Sequence, residues 1–304
     1  GAIITDTHMH TSDPCIYAVG DAVQVREFVS GTDAVISLAG PANRQGRIAA
    51  DNICGIPSEY KGSQGSSVIQ VFDMTVATTG LNEKTAKAAG IDYDKVYTYS
   101  ASHATYYPGA RNMSVKTLFE KGTGRILGAQ IVGYEGADKR IDVIATVIRS
   151  GGDYRLLEEL DLAYAPPYSS AKDPVNMVGF VIDNVVSGRV SQFFWDDVAA
   201  LAADGSNVFV DVRTPEEFSR GHIEGSVNIP VDCMRERMSE IPRDRHVCLI
   251  CHSALRSYIA ARMLMQNGYD CSHLAGGYRL YSSVVGDIQV GSPDGPPCGQ
   301  SRRS

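Results

Sequence analysis

Between residues 207 and 264 short apolar runs alternate with helix-forming segments, and this alternation limits the possible folds more than any other feature of the chain. "VFVDV" (208–212) is an apolar-rich run of the kind found in strands covered by helices on both sides. Thr214-Pro215-Glu216-Glu217 is a capping box with proline at the first helical position, so a helix starts there. Gly221 and Gly225 bracket a turn into "SVNIPV", a second short strand. "VCLIC" is a third, "HSALR" a loop, and "SYIAARMLMQNGY" a helix with Ile259, Met263 and Leu264 available to a core. Strand-helix-strand alternation of this kind predicts a small, mainly parallel α/β domain.

This pattern separates two cysteines. Cys251 falls at a strand end, in a tight loop that opens onto a helix N-terminus, where unpaired backbone N–H groups and the helix dipole favour a thiolate and Arg256 adds positive charge. Cys248 lies inside the strand and reads as a small buried hydrophobe. Together they spell C-x-x-C, but a thioredoxin-type pair spans a helix start, whereas here the first cysteine belongs to a strand. Zinc would need two more ligands at a matching spacing, and Cys271 and Cys298 do not supply a second C-x-x-C. No metal is expected.

A chain of 304 residues, 43% hydrophobic, can bury two or three domains. It has no run of eighteen apolar residues and no basic-then-apolar leader, which reads as soluble and cytoplasmic, without a membrane partner. The net charge of −7, without clustered Lys and Arg, argues against nucleic acid. Seven scattered cysteines do not form the framework of a small disulfide-rich domain and read as free thiols.

At the other end, "TSDPCIYAVGDA" reads as a turn at Pro14, a strand from Ile16 to Val19, and Gly20-Asp21 at the strand's end, where ligands approach an open α/β sheet. "SLAGPANRQGRIAADNI" reads as a helix. Thr11, then six residues, then Ala18-Val19-Gly20-Asp21 resembles the second flavin motif of the pyridine-nucleotide disulfide oxidoreductases. The resemblance implies that Asp21, with Thr11 beside it, contacts FAD. No G-x-G-x-x-G for FAD or NAD(P) and no early redox cysteine occurs, so the chain is expected to be the C-terminal part of a longer reductase.

From Ser66 to Gly188 the pattern is α+β. "MSVKTLFEKGTGRILGAQIVG" reads as a hairpin around Gly122–Gly124. "ADKRIDVIATVIRSGG" puts Ile141, Ile144 and Ile148 on one helical face. In "KDPVNMVGFVIDNVVSG", Asp173 is the N-cap and Pro174 opens a helix with Val178, Val181, Ile182 and Val185 in register. The order resembles the dimerisation domain of the same oxidoreductases, and "ATYYPGA" with "LAYAPPYSSAKDP" resembles their coenzyme A disulfide reductase branch. That resemblance implies a homodimer in which Tyr106 and Tyr164 reach the partner's flavin and coenzyme A sulfur, Tyr164 on the FAD side. It likewise implies that Tyr106, Lys172 and Asn43 contact coenzyme A. Tyr107 and Tyr168 read as interface packing.

"DVRTPEEFSRGHIEGSVNIP", the Cys251 to Arg256 loop and "HLAGGY" resemble a rhodanese domain over its whole length. The resemblance implies that Cys251 takes sulfur from a sulfane-sulfur donor, carries it as a persulfide and passes it to an acceptor thiol, with Arg256 in the catalytic loop and Asp211 and Arg213 supporting it. Four residues separate Cys251 from Arg256, the sulfur-transfer length; related phosphatases use one more. Ala254 stands where relatives carry Gly, which suggests a tighter loop.

The expected architecture is therefore α/β and α+β: the end of an FAD-binding domain (1–65), an α+β dimerisation domain (66–188) and a small α/β rhodanese domain with a parallel sheet (189–304). The expected function is that of a fragment of an FAD- and NAD(P)H-dependent coenzyme A disulfide or persulfide reductase carrying a sulfurtransferase domain, without reductase activity from this chain alone. Two alternatives are a stand-alone sulfurtransferase on a dimerisation platform and an inactive sulfur-carrier or interaction module.

Overall fold

The computed structural model describes residues 1–290, so Cys298 lies outside the described residues. The chain divides into two compact units, the first ending at Asp183 and the second beginning at Asn184.

The first unit opens with β1 (Ile3–Ile4), β2 (Val23–Arg26) and β3 (Asp33–Ala34), a small sheet in which β1 and β2 are parallel. Helix α1 (Ala39–Ile53) matches the expected one. The strand expected at Ile16–Val19 is absent: Tyr17 makes an isolated bridge to His10, and Ile16 and Val19 are exposed. Four apolar residues do not form a strand without a neighbour to pair with, and among the described residues that bridge is their only pairing. Gly20–Ala22 instead forms a 3₁₀ turn leading into β2.

A five-stranded antiparallel sheet follows, with β4 (Ser67–Val71), β5 (Met74–Gly80), β6 (Tyr93–Ala101), β7 (Asn112–Glu120) and β8 (Ile126–Gly133) in the order β4-β5-β8-β7-β6. The Gly122–Gly124 hairpin is β7–β8. Helix α2 (Glu83–Ala88) caps itself with Asn82, and α3 (Ala137–Arg149) packs on β5 and β8 through buried Ile141, Ile144, Val147 and Ile148. Fully burying each such side chain contributes about 1.5–3 kcal/mol. After α4 (Tyr154–Glu159) comes α5 (Pro174–Val186), capped as expected: Asp173 Oδ1 accepts from Val175 N at 3.0 Å.

The second unit is a parallel sheet of β9 (Gln192–Phe193), β10 (Asn207–Asp211), β11 (Val227–Asn228), β12 (His246–Ile250) and β13 (Cys271–Leu274), in the order β11-β10-β12-β13-β9. Helices α6 (Val198–Ala203), α7 (Pro215–Ser219), α8 (Met234–Arg237), α9 (Leu255–Gln266) and α10 (Gly277–Val290) complete it. The Thr214/Glu217 capping box forms as read. Helix α9 begins two residues earlier than expected and turns differently: Ser257, Ala260, Ala261 and Leu264 are buried while Ile259 is 39% exposed. Two small alanines let the helix sit close against the sheet, which rotates Ile259 outward.

β10 and β12 are neighbours, but the chain leaves β10 toward β11 on one side and β12 toward β13 on the other. The crevice at their carboxyl ends is thus a topological switch point, the usual ligand position in such sheets. Among the described residues no helix is long and apolar enough to cross a membrane.

Arg140 and Asp173, 2% and 3% exposed, form an ion pair at 3.0 Å in the first unit. Removing one partner leaves the other charge buried, so Asp173→Ala is expected to lower stability by about 3–5 kcal/mol, seen as an earlier urea midpoint.

Candidate active site

Two groups of expected residues are brought together, one in each unit. In the second unit, Asp211 ends β10 and Cys251 immediately follows β12, side by side at the switch point. Pleating sends alternate residues of β12 to opposite faces. Val247, Leu249 and Cys251 enter the apolar cluster with Ala260, Ala261 and Leu264 of α9, while Cys248 and Ile250 enter the opposite one with Phe193 and Leu274. The two cysteines are therefore not a couple. Burial pushes the Cys248 thiol up to about 12, with the Asp270 carboxylate adding to the effect. Cys251 is 1% exposed, so its sulfur sits at the bottom of the loop.

The loop is fastened from three sides. Tyr278 N donates to Cys251 O at 2.8 Å and Arg279 N to His252 O at 3.0 Å, so the first turn of α10 holds the loop carbonyls. That approach requires Gly277, where a Cβ would lie 2.6 Å from His252 O and 2.7 Å from Cys251 O. Arg213 and Asp211 form a buried pair at 2.6 Å; Arg213 also donates to Gly221 O at 2.7 Å and lies 4.2 Å from the centroid of the Tyr278 ring. On the third side, Arg256 donates from both Nη atoms to the two Glu217 oxygens, each at 2.7 Å.

Sequence reading identified Glu217 only as half of a capping box. In the structure its Oε2 makes that capping bond, accepting from Thr214 N at 3.0 Å, and the same carboxylate also takes Arg256, which holds it down at about 2. The guanidinium charge of Arg256 is thus largely balanced by Glu217. The donors left for an anion in the loop include the N–H groups of Leu255, Arg256 and Ser257, which open α9 and have no intrahelical acceptor. No signal in a single sequence pairs residues 39 positions apart. Ser257, 0% exposed, was missed as well; its hydroxyl lies 3.3 Å from Cys251 Sγ.

Ala254 adopts a left-handed conformation, φ +75° and ψ −18°, as the residue before α9. The loop has the turn that glycine favours and places alanine in it. Relief of that strain, opposed by glycine's greater freedom when unfolded, is expected to make Ala254→Gly more stable by up to about 1 kcal/mol in thermal melts.

In the first unit, Tyr106 and Tyr164 hydrogen-bond through their hydroxyls at 2.9 Å, and Tyr106 holds the Tyr164 phenol above its ordinary value. Both are exposed, as are Tyr168 and Lys172, whose ammonium lies 5.8 Å from the Phe180 ring centroid. The two tyrosine loops are joined by Ala104 N, which donates to Ser169 O at 3.0 Å. Arg140 anchors both, donating to Ser102 O at 3.1 Å and to Ser169 Oγ at 3.0 Å. Asn43, exposed on α1, bonds back to Ala39 O at 2.8 Å. Asp21 is exposed on its turn, whose Gly20 N donates to Gln45 Oε1 of α1 at 2.7 Å. Thr11 Oγ1 is engaged locally with Asp13.

Residues 66–174 match the family described as pyridine nucleotide-disulphide oxidoreductase, dimerisation domain, and residues 194–283 match the rhodanese-like domain. Coenzyme A disulfide reductase of Staphylococcus epidermidis is 35% identical over 181 residues, 59% of this chain and 41% of that protein. Among solved structures, reduced CoADR-RHD from Bacillus anthracis is 48% identical with a TM-score of 0.92, over 94% of this chain and 52% of that one. An NAD-dependent persulfide reductase from A. fulgidus is 39% identical with a TM-score of 0.83, over 92% and 51%. The chain spans about half the length of the relatives it matches.

Burial also pushes His273 down to about 4. The unfolded chain takes up a proton there below about pH 6.5, which the folded chain refuses until about pH 4, so stability falls as pH falls through that window. His273→Gln is expected to flatten this part of the stability–pH curve, measured by urea unfolding at successive pH values.

Proposed function

We propose, from a chain that carries a pyridine nucleotide-disulphide oxidoreductase dimerisation domain and a rhodanese-like domain, that its second unit is a sulfurtransferase acting through a persulfide on Cys251. The observation that carries this reading is the position of Cys251: a switch-point loop of six residues, closed by Arg256 and opening onto the unpaired N–H groups of α9. The Cys251 thiolate attacks the outer sulfur of a sulfane donor and the donor's remainder leaves. An acceptor thiolate then removes that sulfur and the Cys251 thiolate returns. Backbone donors facing the loop hold the charge of the persulfide. Asp211 and Arg213 support the loop through Tyr278 and Gly221, and Arg256, pinned by Glu217, shapes its far side.

For the first unit the reading is the end of an FAD-binding domain (1–65) followed by a dimerisation domain (66–188), with the sulfur-transfer domain at 189–304. The oxidoreductase family implies FAD and NAD(P)H. The residues here fit one end of a flavin site: an exposed carboxylate, Asp21, on a turn tied to α1; Thr11 is assigned to the same site by its motif. The sequence contains no G-x-G-x-x-G, so the ADP half of FAD has no cradle in these 304 residues. When bound, the flavin would supply hydride transfer to a disulfide. The part played by this chain's own residues is binding and orientation, with Tyr164 on the flavin side and Tyr106, Lys172 and Asn43 toward coenzyme A. The parent activity is the reduction of coenzyme A disulfide or persulfide by a cytoplasmic homodimer, and the hydrogen-bonded Tyr106–Tyr164 pair, exposed in a single chain, supports a site shared across two copies.

Mass spectrometry after treatment with thiosulfate is expected to find one added sulfur, about 32 Da, on the peptide containing Cys251. Cys251→Ser should abolish the adduct and turnover, and Cys248→Ala should keep both. Sulfur on Cys248 instead would overturn the assignment. Sedimentation of the chain at micromolar concentration is expected to give a dimer, and a monomer would count against the shared site.

A further inference from the structure

Beside Cys251 is a buried polar pair, Ser257 and His273, that the mechanism above does not use. Ser257 Oγ on α9 lies 3.3 Å from Cys251 Sγ, 3.1 Å from Ala254 O and 3.3 Å from His273 Nδ1 on β13. All three side chains, Cys251, Ser257 and His273, are nine-tenths or more buried, at 1%, 0% and 5% exposure. We propose that Ser257 is a catalytic hydrogen-bond donor to the Cys251 sulfur, and that His273 is the positioning residue that turns the serine proton toward it. This rests on Cys251 being the sulfur-carrying nucleophile.

A hydroxyl has one proton to give and two lone pairs to receive with. Burial keeps the His273 ring neutral at physiological pH, so one of its nitrogens carries a proton. With that proton on Nδ1, His273 donates to Ser257 Oγ and cannot accept from it, which leaves the serine proton to Ala254 O or Cys251 Sγ. An anionic sulfur draws it, because hydrogen bonds to charged acceptors are roughly twice as strong as neutral ones. In the persulfide the negative charge lies on the outer sulfur, and the proton swings back to the Ala254 carbonyl. During discharge an acceptor thiolate attacks the outer sulfur, the S–S bond to Cys251 breaks, and its electron pair passes to Sγ. The step is R–S⁻ + Cys251–S–S⁻ → R–S–S⁻ + Cys251–S⁻, with no oxidant or reductant consumed. Ser257 then meets the charge as it forms on the leaving sulfur, and a better-stabilised leaving thiolate departs faster.

The other titratable groups near the loop are Arg256 paired with Glu217, Arg213 paired with Asp211, Arg279, and His252, whose ring burial keeps toward the neutral form. None is altered in the test. The Cys251 pKa is read from ultraviolet thiolate absorbance as the difference between each protein and its Cys251→Ser counterpart. Discharge is read as the rate at which a pre-loaded persulfide passes sulfur to a small thiol. Ser257→Ala is expected to raise that pKa by about one unit and slow discharge severalfold, and Ser257→Thr to restore both. His273→Phe should move the pKa in the same direction with Ser257 intact, which also serves if Ser257→Ala fails to fold. The double variant should go no further than Ser257→Ala alone, since His273 acts only through the serine. An unchanged pKa in Ser257→Ala overturns the proposal, and additive shifts in the double variant overturn the role of His273. If the parent chain never loads sulfur, the sulfur-transfer reading fails, and the titration by itself still supports or overturns the Ser257 hydrogen bond.

Discussion

A buried arginine paired with a carboxylate is the interaction on which each unit's functional loops depend. Arg213 and Asp211 at the end of β10, and Arg140 and Asp173 between α3 and the start of α5, are each almost fully buried. Such pairs are rarely a net source of stability, because desolvating two charges costs about as much as their attraction returns. They give position instead. A guanidinium has five donors in a fixed plane, so one arginine can hold a carboxylate and several carbonyls in a single geometry. Arg140 does this for the loops carrying Tyr106 and Tyr164, and Arg213 for the turn at Gly221 and the ring of Tyr278.

The sulfur site follows from that scaffold and from strand pairing. Parallel pairing of β10 with β12 aligns Asp211 with Ile250, so the chain leaving each strand enters the same crevice. Tyr278, stacked over Arg213, then reaches Cys251 O through its backbone N–H. The loop carries local cost in the left-handed Ala254 and excludes any side chain at Gly277. Strain of this kind persists only where surrounding contacts over-determine the backbone, as the three fastenings do here.

Charge balance distinguishes the site from a simple cationic pocket. Arg256 enters the crevice already bound to Glu217, and the Arg213 charge is met by Asp211. With those two charges balanced, oriented N–H and O–H dipoles are available to an anion in the loop, and they need no mobile counter-charge. This suits the proposed Cys251 persulfide, whose negative charge would move by one sulfur atom between carrying and releasing its cargo.

Much of this was legible in the residues themselves. The parallel domain, the Thr214/Glu217 capping box, the β7–β8 hairpin and the α5 cap were all readable, because each depends on contacts within a few positions of the chain. The separation of Cys248 from Cys251 was readable because a strand alternates its faces. The strand expected at Ile16–Val19 and the inward Ile259 were wrong, because pairing and helix rotation depend on what lies alongside. Ion pairs and hydrogen bonds across 39, 33 and 16 positions, Arg256 with Glu217, Arg140 with Asp173, and Ser257 with His273, leave no local pattern to find. Sequence by itself determined the locally capped helices, the hairpin and which cysteine stands at a strand end. Only the tertiary structure decided which charges are neutralised and which hydroxyl faces the sulfur, because those depend on distances set when separate elements pack.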